Sequence, residues 1–220
     1  MASSFSYPLL TIKADRLEAV VIDLASTFES PEAVRDGYGG AYLSFFETCG
    51  LFFPIPEPVL NILAELGLSL TQMCPNFLKH LLALLVKARE DGLLFGLDKL
   101  RHLVLMKRNN PNAGTFLMSP RPGRQIVQGI PYRDQNWRQE VFLFKIYEAS
   151  VGSFDFSKLP CYWAEDIVHS GRNSMTDGLW GLIGALRRGH SDWSSFDHSR
   201  IRAAFLMPGE SGVASEIAGV

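Results

Sequence analysis

Cys161, Asp166 and His169 lie close enough in sequence, and are of the right types, to suggest nucleophilic catalysis. A Cys/His hydrolase needs a thiolate in contact with an imidazole whose ring is oriented by a third group. The surroundings, Leu159-Pro-Cys-Tyr-Trp163, carry no glycine pattern for an oxyanion hole and read as packing. A structural cysteine is the preferred reading. Metal chemistry finds less support. The five histidines, His80, His102, His169, His190 and His198, are scattered, and the three cysteines, Cys49, Cys74 and Cys161, form no CxxC pair. His190 and His198 with Asp192 and Asp197 come nearest to a ligand set, but a zinc site requires convergent N and S ligands at close spacing. No GxxxxGK[ST] or GxGxxG loop is present, so no metal and no organic cofactor is expected.

Anion binding is better supplied. Arg121 and Arg124 flank the turn Pro122-Gly123, with Lys107 and Arg108 before it, and paired guanidiniums can hold a phosphate. These four are the candidate nucleic-acid contacts, acting through the phosphate backbone and so nearly blind to base sequence. Stacking of single strands would need Tyr132, Trp137, Phe142 or Phe144 exposed; the competing reading packs these rings behind a sheet. All lie in a basic island. Residues 101–145 carry eight basic and two acidic side chains, whereas 1–100 is net −5 and 146–220 net −3. Such an island can instead pair with its acidic flanks, and that internal pairing is preferred.

A chain of 220 residues that is 47% hydrophobic, 20% charged and net −2 has material for a core and is neither disordered nor polybasic. Its odd, distant cysteines argue against a disulfide scaffold and suit a reducing compartment. The first ten residues lack a basic n-region and an apolar h-region, which excludes a secretory signal. The apolar stretches Tyr42–Pro56 and Phe77–Val86 are broken by Glu47, Pro54, Lys79 and His80, short of the ~20 residues that cross a bilayer. An intracellular protein of the nucleus or cytoplasm, with no membrane partner, is expected.

Hydrophobic spacing predicts helices at 14–26, from Ser30-Pro31, at 57–67 with Gly67 as C-cap, at 76–91, from Leu97 to about Met106, at 160–169 and at 176–188. Residues 77–86 are apolar over most of the helix circumference, the mark of a helix buried between others. Strands are predicted at 115–118, 125–127 and 141–146. Residues 40–49 read as a buried aromatic segment, and 209 onward as a tail. The expected class is α+β, a mainly helical domain with a small antiparallel sheet of about three strands.

Several runs stand in a recognisable order. Leu51-Phe-Phe-Pro-Ile-Pro-Glu-Pro-Val-Leu60 precedes Leu66-Gly-Leu-Ser-Leu-Thr-Gln-Met-Cys-Pro-Asn76, then Lys107-Arg108, Gly114-Thr115-Phe116, Trp137-Arg138, Phe142-x-Phe144 and Trp163-Ala-Glu165. In this order they resemble the plant transposon protein domain of gag-like open reading frames in gypsy-type LTR retrotransposons. The resemblance covers residues 40–170, flanked by an N-terminal helical lead (1–39) and a C-terminal helical extension and tail (171–220). It implies a non-enzymatic protein acting through protein contacts or self-association and through nucleic acid, and it carries over no catalytic residue. A truncated copy of a longer protein is the corresponding expectation. A small hydrolase or transferase is the alternative.

Overall fold

The computed structural model describes residues 20–24, 29–160, 162–167, 175–189 and 191–206. The chain is α+β: the described residues form seven helices, a three-stranded antiparallel sheet and a separate two-stranded hairpin. One continuous hydrophobic core draws on residues from Val20 to Ile201.

The central element is α3 (Pro75–Glu90), in which every side chain from Pro75 to Ala88 is buried. Pro75 suits its first turn, where a missing N–H costs nothing, and Lys87 and Arg89 suit its last. Around it pack α1 (Leu43–Glu47), α2 (Glu57–Leu66), α6 (Asp177–Leu186), α7 (His198–Leu206) and strand β4 (Phe116–Pro120), and α5 is a single turn at Glu148–Val151. Helix α2 ends at Gly67 in the left-handed region (φ 68°), a conformation that glycine adopts without a Cβ clash.

The strands depart furthest from sequence expectation. Within the expected helix at 14–26, Ile22–Leu24 form β1, which pairs with Phe142–Phe144 of β5 (Val141–Lys145); residues 14–19 and 25–26 lie outside the described residues. Strand β2 (Tyr38–Tyr42) lines the other edge of β5, so the order is β1-β5-β2. Its glycines are required by close approach. A Cβ on Gly39 would lie 2.4 Å from the Phe144 ring. No helix starts at Ser30-Pro31: Ser30 and Ala33 exchange backbone hydrogen bonds in a tight turn.

The helix from Leu97 stops at Leu103 (α4, Leu97–Leu103), and Val104–Arg108 form β3, paired with β4. The stop has a visible cause. The carbonyls of Arg101, His102 and Leu103 accept hydrogen bonds from Arg121 Nε, Arg124 Nη1 and Arg121 N–H, at 2.9, 2.5 and 2.9 Å. Residues 125–127 are not a strand; Ile126 and Val127 are buried and Gln128 bridges to Asp192. Residues 162–167 are not helical, because Trp163 and Ala164 spend their N–H groups on Glu32 and Gln72. Cys161 and residues 168–169 lie outside the described residues, as does the expected tail. Helix α7 falls within the C-terminal helical extension expected over 171–220, and the Glu90–Arg200 fork at 2.6 and 2.8 Å ties it to α3.

Leu81, Leu84 and Leu85 are 0, 3 and 2% exposed. Truncating Leu81 to Ala should therefore cost about 2–5 kcal/mol of unfolding free energy. Urea denaturation reads this directly, and a variant as stable as the parent would contradict the core assignment.

Candidate functional site

Residues from four stretches far apart in sequence, 69–72, 114, 138 and 163–164, meet in space. Ser69 starts a 3₁₀ turn at Leu70–Gln72, and Gln72 is fully buried beneath it. An amide offers two donors and an acceptor with two lone pairs, and here all four sites are engaged. Gln72 Nε2 donates to the carbonyls of Gly114 (3.0 Å) and Ala164 (2.9 Å), while Oε1 accepts from the N–H groups of Ser69 (3.2 Å) and Ala164 (3.0 Å). Thr71 Oγ1 donates to the Pro31 carbonyl at 2.7 Å and accepts from Trp163 Nε1 at 2.8 Å. The Trp163 ring covers Gly114, where a Cβ would come within 2.4 Å. Arg138 lies 5.4 Å from the Trp163 ring and pairs with Glu32 at 3.2 Å.

A second polar group adjoins the first. Asn109 Nδ2 donates to Cys74 Sγ and Thr115 Oγ1, both at 3.2 Å, and Thr115 Oγ1 donates to the Asn112 carbonyl at 2.7 Å. Asn76 mimics a strand edge: Nδ2 donates to the Met118 carbonyl (2.8 Å) and Oδ1 accepts its N–H (3.3 Å). Lys79, buried in α3, meets Asp134 at 2.6 Å.

These arrangements favour structure over reactivity. A nucleophilic cysteine must be a thiolate, yet burial pushes the Cys49 thiol up to about 12 and raises Cys74 as well. Burial likewise lowers His80 to about 4, so it is neutral near pH 7. Among the described residues, no three His, Cys, Asp or Glu side chains are grouped to hold a metal ion. Cys161 and His169 of the Cys161–Asp166–His169 grouping lie outside the described residues, as does His190.

The four candidate phosphate contacts do not converge. Lys107 and Arg108 sit at one end of the β3–β4 hairpin, where Arg108 faces Phe116, whereas Arg121 follows the other end, where Val104 faces Pro120. At about 3.4 Å per residue the two ends are roughly 13 Å apart. Arg108 meets Asp166 at 3.3 Å, a pairing with the acidic flank of the kind the charge pattern suggested. Arg121 and Arg124 instead bind the last carbonyls of α4. Of the four rings in the basic island that stacking would need exposed, Tyr132 is 53% exposed, while Trp137, Phe142 and Phe144 are buried.

No family model matches the chain, and no solved structure does. It is 28% identical over 134 residues to the Arabidopsis thaliana protein described as "Uncharacterized protein At3g60930, chloroplastic", covering 60% of this chain and 17% of that protein. It is 24% identical over 119 residues to "Meiosis-specific protein ASY2" of Arabidopsis thaliana, covering 54% of this chain and 8% of that one. The chain thus spans less than a fifth of either relative.

Replacing Gln72 by Leu would remove four hydrogen bonds, those to the Gly114 carbonyl, the Ser69 N–H and both backbone groups of half-buried Ala164. At about 0.5–1.5 kcal/mol net for each, the loss should be about 2–6 kcal/mol by urea denaturation; a neutral result would contradict the network. His80 generates a second prediction. An ordinary histidine protonates near pH 6.5, but the folded chain protonates His80 only near pH 4. Between these values the unfolded chain binds the extra proton. Stability should fall as pH drops through this window, by roughly 3 kcal/mol at most. His80→Leu should flatten that part of the curve, and an unchanged slope would contradict the assignment.

Proposed function

We propose that this chain is a non-enzymatic, gag-like domain of the plant-retrotransposon type, acting by contact with other macromolecules as one module of a longer polypeptide. The observation that carries this reading is the use made of the shared pattern. Ser69, Thr71, Gln72, Gly114 and Trp163 are hydrogen-bonded or packed against one another, and Asn76 is bonded to Met118 of β4. Residues spent in this way encode a fold. A catalytic site instead keeps a base, nucleophile or oxyanion donor available to substrate. The small share that the chain occupies of its two curated relatives supports a module reused in larger proteins. Among the described residues no helix is long and apolar enough to cross a membrane, and a nuclear or cytoplasmic location belongs to the same proposal.

Chloroacetamide and fluorophosphonate probes test the non-enzymatic reading. Cysteines and serines of the folded protein should label no faster than those of the urea-unfolded chain, with Cys49 and Cys74 protected. Any residue labelling faster in the folded state would be an activated nucleophile and would favour the hydrolase or transferase alternative.

A further inference from the structure

The fold gathers a basic surface that the linear charge pattern does not show. Arg187, at the end of α6, donates Nη2 to the Gly123 carbonyl (2.7 Å) and Nε to that of Gln125 (3.1 Å). This locks the end of α6 onto the turn that carries Arg121 and Arg124. Arg188 follows, 69% exposed at its side chain, with Asp91 at 4.0 Å. Pinning these guanidiniums to carbonyls does not exhaust them. Each has five N–H donors, of which Arg121 and Arg124 commit one apiece and Arg187 two. Their ordering is already achieved in the folded chain, so a bound phosphate would not have to supply it.

Beside this surface lies a cavity of about 100 Å³ that Pro120, Gln125, Ile130 and Tyr132 help to line. The exposed Tyr132 ring forms part of its wall, and the Arg133 guanidinium sits 5.7 Å from the ring centroid. The neighbouring carboxylate Asp134 is matched by buried Lys79. Ordered cations next to an exposed ring and a cleft are what a single strand needs, phosphates on one side and a base on the other.

We propose that Arg121, Arg124, Arg187 and Arg188, together with Tyr132 and Arg133 across the cleft, form a binding surface for single-stranded nucleic acid. The phosphates neutralise the arginines and one base stacks on Tyr132. This stands apart from the gag-like reading, because it rests on charge and ring placement alone.

The test is fluorescence anisotropy of a labelled 20-nucleotide oligouridine with the full chain between 50 and 200 mM salt, folding being checked by circular dichroism. Four or five phosphate contacts at about −0.7 each predict a log–log slope near −3, hence roughly 50- to 130-fold weakening over that range. R187Q/R188Q should flatten the slope by about 1.4. R188Q alone, which removes no close hydrogen bond, should flatten it by about 0.7. Y132A should weaken binding roughly tenfold with the slope unchanged, while K107Q/R108Q should change neither. The proposal is overturned if the parent does not bind, if K107Q/R108Q flattens the slope and R188Q does not, or if duplex DNA or polyglutamate competes as well as the oligouridine.

Discussion

The four hydrogen bonds of the buried Gln72 amide are the constraint on which the architecture around them depends. They hold three segments that have little regular secondary structure of their own: the 3₁₀ turn at Leu70–Gln72, the turn ending at Gly114, and residues 162–167. Backbone groups in such segments cannot be paired by a helix or sheet ladder, and burying them unpaired would be costly. A single amide serves both the N–H and the carbonyl of Ala164, as a neighbouring strand would. With Ala164 fixed, Trp163 comes to rest on Gly114 and reaches Thr71, and this in turn binds the residue 30–33 turn through Pro31.

Charge follows the same economy. Two cations of the basic island finish backbone hydrogen bonding, Arg121 and Arg124 closing the end of α4, and Arg187, from the acidic C-terminal segment, closes the turn between them. Carbonyls at a helix C-terminus carry partial negative charge and lack intrahelical donors, so guanidiniums are well suited to them. The buried Lys79–Asp134 pair and the Glu90–Arg200 fork fasten separate elements to α3.

What could be read from the chain was local. The apolar spacing that ends at Gly67 and the apolar run that follows Pro75 place α2 and α3 within a residue or two. What failed was non-local. Ile22–Leu24 became a strand because β5, about 120 residues later in the chain, needed an edge partner, and such pairing overrides local helical spacing. Val104–Arg108 left α4 for β3 because residues 121–124 cap the helix behind it. The site was legible in one respect: the order Ser69-x-Thr71-Gln72, Gly114-Thr115, Trp163-Ala164 names the partners, although nothing in a linear sequence says that they touch. The proximity of Arg187 to Arg121 had no sequence signal, being created by tertiary packing alone.

The Gln72 amide pins residues 162–167 through both backbone groups of Ala164. Amide hydrogen exchange at Ala164 measures this most directly, since its N–H has the Gln72 side chain as its acceptor. Its exchange should be slowed to a degree comparable with the buried amides of α3, although it lies outside any helix or strand. In a folded Gln72→Ala variant, protection should vanish at Ala164 while persisting in α3. Exchange of Ala164 at the rate of an exposed loop in the parent protein would contradict the account.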